Sequence, residues 1–334
     1  MVSPSPEVNF PVHFHNNKAW VKIPHRLSIL EAVDFKSTCH NLVLGDQVPQ
    51  AIILDFSETT FMDSSGVGAL VSNLKAAKNK NVELLLKNVG PQVMAVFSLT
   101  SLDQVLTFEQ DEPTTPLQST GGGDNKPMLP VTHPSVRSVV KRSIDIVGAI
   151  VGLGITAVLS IPIVIAIRLE SPGPILFGQI RCGWMGKHFR MWKFRSMVIN
   201  AEELKSTIPN QAKGQIFKND NDPRITKVGR FLRRTSLDEL PQFWNVLMGE
   251  MSLVGTRPPT PDEVERYEVP QWQRLDVKPG MTGEWQVGGR SQIKDFEDII
   301  RLDLKYQENW SLMYDLKMIV RTIAILFKKN SGAM

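Results

Sequence analysis

The sequence predicts an α/β chain in two parts: a small N-terminal α/β domain, then a mostly helical domain carrying one membrane helix. Three observations carry this reading. Short apolar β-type runs alternate with helical runs over residues 1–110, the pattern of an α/β layer fold. Residues 111–136 include Glu112-Pro-Thr-Thr-Pro-Leu-Gln-Ser-Thr-Gly-Gly-Gly-Asp-Asn-Lys-Pro127, which cannot build a core and predicts a flexible linker. Between Asp145 and Arg168 lie 22 residues without a charge, long enough as a helix for the ~30 Å hydrocarbon core of a bilayer.

In the first domain, Phe10–Ile23 predicts strands with a turn at Asn16-Asn17. Ser28–Leu42 predicts a helix with Ser28 as cap and Glu31 three residues on. Gln50–Phe56 is an apolar run suited to a buried strand. Asp63-Ser64-Ser65-Gly66-Val-Gly68 opens a helix reaching about Ala77. Val82–Leu86 predicts a strand, Pro91–Leu99 a helix and Val105–Phe108 a last strand.

Residues 137–171 form the membrane element. Pro162 lies inside the apolar run, two residues after Ser160, and predicts a helix break there. Lys141 and Arg142 precede the run and Arg168, Arg181, Lys187 and Arg190 follow it, so both ends are expected on the cytosolic side. A re-entrant helix is therefore favoured over a spanning one. Lys141 and Arg142 are candidates for lipid head groups, and Asp145 for an interfacial ion pair.

Composition sets the class of partner. Hydrophobic residues make up 42% and charged residues 22%, as in a folded protein. The net charge of +4 is uneven: residues 1–130 hold 9 Lys+Arg against 13 Asp+Glu, the remainder 29 against 21. A basic C-terminal part points to anionic partners: phosphates, anionic lipid or nucleic acid. Cys39 and Cys182 are the only cysteines, which fits a reducing compartment without disulfides. His13 and His15 alternate on a strand; a surface pair is the simpler reading of them than a metal pair. Met1–Pro11 lacks the pattern of a signal peptide.

Residues 172–334 hold the candidate chemistry. Phe189–Met197 reads Phe-Arg-Met-Trp-Lys-Phe-Arg-Ser-Met, which places Lys193 and Arg195 on one face of a strand, as an anion site or as edge protection. Arg230-Phe-Leu-Arg233-Arg234 precedes Ser236-Leu-Asp238-Glu239. Ser236 and Glu239 have capping-box spacing, and Leu240, Phe243, Trp244 and Leu247 give the ensuing helix an apolar face. Adjacent acids in a first helical turn also complement the helix dipole without further function. Beside arginines that grip anionic oxygens, however, Asp238 and Glu239 suit phosphate chemistry: they can hold Mg²⁺, or one can attack phosphorus. Val277-Lys-Pro-Gly-Met-Thr-Gly-Glu-Trp-Gln-Val-Gly-Gly-Arg290 is a glycine-punctuated loop in which Arg290 either reaches a ligand or lies on the surface. Phe296–Glu308 and Leu312–Phe327 predict helices. The second is amphipathic and basic, either interfacial or in the core.

Two resemblances follow from these strings. Lys193-Phe-Arg-Ser-Met197, Ser236-Leu-Asp-Glu-Leu-Pro-Gln242, Asn245-Val-Leu, Gly249-Glu-Met-Ser-Leu-Val-Gly255 and Arg257-Pro258 resemble the bacterial sugar transferases, monotopic polyprenyl-phosphate hexose-1-phosphate transferases, over about Arg137–Phe327. The chain has Thr256-Arg257-Pro258 where that family usually has Pro-Arg-Pro, and Ser160-Ile-Pro162 where it has Ser-Pro at the re-entrant break. The resemblance implies transfer of a sugar-1-phosphate from a UDP-sugar to undecaprenyl phosphate on the cytosolic face of the inner membrane, with release of UMP. That is the opening step of exopolysaccharide, capsule or O-antigen synthesis. It implies Asp238 as nucleophile, Glu239 in proton transfer or Mg²⁺ binding, and Lys193, Arg195, Arg233, Arg257 and Arg290 on the substrate. Membrane lipids are further partners, a homodimer is compatible, and nucleic acid is not expected. Leu54-Asp-Phe-Ser-Glu-Thr-Thr-Phe-Met-Asp63-Ser64-Ser-Gly-Val-Gly-Ala69 resembles the STAS fold of anti-sigma-factor antagonists, over roughly the first 110 residues. It implies Ser64 as candidate phosphosite, with a regulatory kinase or protein partner. The competing reading is a non-enzymatic membrane-bound signalling adaptor, which would leave the Asp-Glu pair idle.

Overall fold

The computed structural model describes residues 10–45, 47–109, 133–211, 217, 219, 221–288 and 295–326. Most of the linker, residues 111–132, and Arg290 lie outside them. The chain divides into two compact units. The first is Met1–Thr132 together with Tyr267–Asp276; the second is His133–Arg266 together with Val277–Met334.

In the first unit, β1 (Val12–His15) and β2 (Lys18–Lys22) form a hairpin whose turn residues Asn16 and Asn17 have φ of 48° and 60°. Two left-handed residues in a row suit asparagine and make the turn type that matches strand twist. β3 (Arg26–Leu27) and α1 (Ile29–Leu44) follow, and Glu31 accepts the Ser28 N–H at 3.1 Å. Next come β4 (Ala51–Asp55), β5 (Phe61–Met62), α2 (Ser64–Asn79), β6 (Glu83–Lys87), α3 (Pro91–Thr100) and β7 (Thr107–Phe108). The main sheet has the order β1-β2-β4-β6-β7, parallel except for the hairpin. β4 is buried at Ala51–Leu54, as its unbroken apolar run requires. The two-residue strands β3 and β5 pair in parallel and are too short to leave a pattern in sequence.

The expected domain 172–334 is interrupted by Tyr267–Asp276, which packs against α1 and α2 in the first unit. The cause is burial. Val269, Trp272 and Leu275 are 3%, 8% and 2% exposed, and Arg274 is fully buried.

The second unit begins with α4 (Pro134–Arg137) and α5 (Val139–Glu170). α5 runs unbroken through Pro162, so the expected break at Ser160 and Pro162 does not interrupt the helix. Proline removes one donor there, and the Ser160 hydroxyl turns to the Ala157 carbonyl at 2.8 Å. α5 is long and apolar enough to cross a membrane, and other elements of the same unit hold it near both ends. Near its start Lys141 bonds Asp315 at 2.6 Å and the Val254 carbonyl at 3.0 Å. Asp145 accepts from Ser252 Oγ and the Leu253 N–H, both at 2.9 Å. At its end Glu170 accepts the Lys227 and Val228 N–H groups. Buried positions 141, 145, 149, 152, 156, 163 and 167 form one stripe along the helix. Val147, Ile150, Val151, Val158, Ile161 and Ile165 are exposed.

β8 (Leu176–Cys182) and β9 (His188–Phe194) form an antiparallel hairpin. α6 (Lys227–Arg234), α7 (Gln242–Met248), β10 (Ser252–Val254), α8 (Pro261–Val264), β11 (Gly280–Thr282), α9 (Glu284–Val287), α10 (Phe296–Glu308) and α11 (Leu312–Leu326) complete the unit. Side chains are missing by sequence where helices touch. A Cβ on Gly152 would enter the Phe243 ring, and one on Gly148 the Leu253 side chain. In α11, Met313, Leu316, Val320 and Ile323 are exposed while Met318 is fully buried, so the helix both closes the core and presents an apolar face.

Candidate active site

Asp238 and Glu239 lie on a single 3-10 turn, Leu237–Glu239, ahead of α7. The expected capping box is absent: Ser236 has φ of 56° and its side chain makes no cap bond. The left-handed residue instead turns the chain between α6 and the acidic turn, and Pro241 holds the entry to α7, where proline costs no hydrogen bond. Asp238 is only 5% exposed.

Three cationic positions converge on this turn. Lys193 on β9 donates to Glu239 Oε1 at 3.0 Å. Arg233, at the end of α6, is tied by Nε to Ser196 Oγ at 2.9 Å. Burial holds the Arg233 guanidinium below its ordinary range against the opposing pull of the Asp238 charge. Arg181 on β8 is half-buried, and its pKa falls to about 10, through desolvation and then the neighbouring Arg257 charge, while Glu263 and Glu239 oppose the fall. It donates to the Pro258 carbonyl at 2.8 Å. Arg257 donates to both Glu263 oxygens, at 2.7 and 3.0 Å, and lies over the Trp285 ring. Asn245 of α7 aligns the turn with the hairpin: it accepts the Trp192 N–H at 3.1 Å and donates to the Arg190 carbonyl at 2.8 Å.

Lys193, Arg233, Asp238 and Glu239 are thus brought together, with Arg257 beside them through Arg181. Arg195 is not. β9 ends at Phe194, so strand alternation no longer governs Arg195. Its guanidinium is spent on the end of α5, donating to the Pro172 carbonyl at 2.8 Å and to the Ser171 carbonyl at 2.7 Å. These bonds make it a clamp on the end of α5. Lys141 and Arg142 likewise turn inward: Arg142 donates to the Val246 and Leu247 carbonyls at the end of α7, both at 2.7 Å. Sequence reasoning missed Arg181 and Glu263 as site residues. The signal for Glu263 was Thr260-Pro-Asp-Glu263, a capping box that does form; Arg181 is set by hairpin pairing and had no local signal.

Among the described residues no group of three or more His, Cys, Asp or Glu side chains is placed to hold a metal by itself. Two adjacent carboxylates remain suited to Mg²⁺, which commonly takes one or two carboxylates and completes its shell with substrate phosphates and water. Beside Glu239 an apolar cavity of about 310 Å³ opens between Leu240, Phe243, Leu253, Ile319 and Ile323.

A unit with one long apolar helix and a buried acid among cations has the parts of a phosphate-directed enzyme. Comparison with known proteins makes the family specific: residues 136–329 match the model of the bacterial sugar transferases, and the chain belongs to that family. Residues 9–114 match the STAS domain, so the N-terminal domain is STAS-like. The galactosyl transferase CpsE of Streptococcus agalactiae is 50% identical over 190 residues, covering 56% of this chain and 42% of that protein. The undecaprenyl-phosphate galactose phosphotransferase of Salmonella typhimurium is 44% identical over 199 residues, covering 58% of this chain and 41% of that protein. The chain thus spans less than half the length of these two relatives. The exopolysaccharide production protein ExoY of Rhizobium meliloti is 36% identical over 203 residues, covering 59% of this chain and 89% of that protein.

Proposed function

We propose that the chain transfers a sugar-1-phosphate from a UDP-sugar to undecaprenyl phosphate, opening the synthesis of an exopolysaccharide, capsule or O-antigen. The observation that carries this is the buried Asp238 beside Arg233 and the Lys193–Glu239 pair, in a chain of the bacterial sugar transferase family. Asp238 attacks the sugar-bearing phosphorus of the donor, UMP leaves, and a phosphosugar–aspartate ester forms. The phosphate of the lipid acceptor then attacks that ester and frees the aspartate. Arg233 and Lys193 offset the phosphate charge that otherwise repels a carboxylate. Glu239 takes the proton of the incoming acceptor once the substrate phosphates draw Lys193 away from it. Mg²⁺ held by Asp238 and Glu239 would supply further charge neutralisation when bound. The apolar cavity beside Glu239 suits the first isoprene units of the acceptor. The exposed face of α5 lies against lipid, with both helix ends on the cytosolic side.

A panel of UDP-sugars supplied with undecaprenyl phosphate in nanodiscs, read by UMP release and lipid-linked product, tests the reading. Transfer with one donor is expected. Absence of transfer across the panel, from a protein shown to be inserted and folded, would leave the adaptor reading in its place.

A further inference from the structure

Residues Tyr267–Asp276 belong to the first unit although their sequence neighbours on both sides belong to the second. They sit on α1 and α2 as a bound peptide would. The Ser64 hydroxyl, at the first residue of α2, donates to the Trp272 carbonyl at 2.6 Å. The Ser64 N–H donates to Asp276 Oδ1 at 3.0 Å. On α1, Lys36 pairs with Glu268 at 3.1 Å. The Trp272 indole lies where Gly68 lacks a side chain, and a Cβ there would enter the ring. Arg274, fully buried, donates to the Tyr267 hydroxyl at 2.7 Å and so fixes the fold of the segment itself. Ser64 is left fully buried.

We infer that the α1–α2 face of the N-terminal domain is a peptide-binding surface whose occupant is the chain's own Tyr267–Asp276 segment, recognised through Ser64 and the Gly68 notch. Any other protein binding this face must displace the segment, and any reaction at Ser64 requires its release. The surface selects an indole-sized apolar group, a main-chain carbonyl for the Ser64 hydroxyl and a carboxylate for the Ser64 N–H. Adding negative charge at Ser64 places it beside Asp63, which caps α2, and beside Asp276. Like charges in a buried site repel strongly, so the segment is expelled.

Hydrogen–deuterium exchange on the full chain in nanodiscs tests this. In the wild type, amides of 267–276 exchange slowly. Gly68→Ala fills the notch yet favours the helix, so it is expected to speed exchange of 267–276 at least tenfold while β4 stays protected. Ser64→Asp does the same. Ser64→Ala removes one hydrogen bond and speeds exchange by about two- to tenfold. If Gly68→Ala also loosens β4, Trp272→Ala decides, because it empties the notch without touching α2. Wild-type amides of 267–276 exchanging at free-peptide rates, or unchanged protection in both Gly68→Ala and Trp272→Ala, would overturn the inference. None of these readouts needs transfer activity, so their failure leaves the proposed function standing.

Discussion

Asp238→Asn keeps the shape of a buried side chain and removes its power to attack phosphorus. Transfer is expected to fall by ~10³-fold or more with membrane association unchanged, measured as UMP release against flotation with vesicles. Arg195→Ala separates a clamp from a substrate contact. It strips donors from the carbonyls that end α5, so the thermal midpoint should drop by an amount equivalent to about 2 kcal/mol, with the KM for the UDP-sugar unchanged in the residual folded enzyme. Lys193→Met should do the reverse, lowering kcat with little loss of stability. The two basic residues look equivalent in Lys193-Phe-Arg195, and sequence alternation puts them on one face. What separates them is where β9 stops, which pairing with β8 decides and no local pattern encodes. Asp238 and Glu239 stood out in the sequence as adjacent acids beside three arginines, and the structure buries Asp238 and pairs Glu239 with Lys193. The left-handed Ser236 was not readable, since its capping-box spacing described a different turn.

Helices and strands of the first domain were largely readable because apolar periodicity and capping residues are local. Asp63 caps α2 through the Gly66 N–H at 3.0 Å, and the Asn16-Asn17 turn closes its hairpin. The seat of Tyr267–Asp276 was unreadable, because its partners lie more than two hundred residues away in sequence. That seat carries a pH dependence. Burial, then the Asp276 charge, pushes Asp63 up to about 7 from an ordinary 3.8, and burial raises Asp276 as well. Glu31 on α1 faces Asp63 and is itself offset by Arg26, while Lys36, Glu268 and Arg274 complete the charges around the segment. A carboxyl raised in the docked state favours docking when protonated. That contribution is fully present below pH 3.8 and is lost as pH rises through about 7. Exchange of 267–276, corrected for the intrinsic rate, should therefore accelerate between about pH 6 and pH 8. Asp276→Asn keeps the acceptor for Ser64 and removes the repulsion but not the burial of Asp63, so it should move the profile to lower pH without abolishing it.

At the scale of the whole chain, the grip on α5 predicts that both of its ends lie on one side of the membrane. A helix held at Lys141, Asp145 and Glu170 by one folded unit cannot place its ends on opposite sides of a bilayer without tearing those bonds into lipid. Single cysteines at Val140 and Leu169 should both escape an impermeant maleimide in intact cells and both react after lysis. Labelling of one alone from outside would establish a span. Truncation tells a related story. The linker and opposite charges of the two parts suggest a free-standing transferase from about Val131 onward. The docked segment instead predicts that such a truncation exposes Val269, Trp272 and Leu275, and should show faster exchange and a greater tendency to aggregate there. The same threading imposes an order on biosynthesis. Ser64 and Asp276 are separated by 212 residues, so at about 5–20 residues per second the N-terminal domain waits on the order of 10 to 40 s on the ribosome for the peptide that completes it. Throughout that interval its α1–α2 face is open, and α5 emerges and meets the membrane before the face can close.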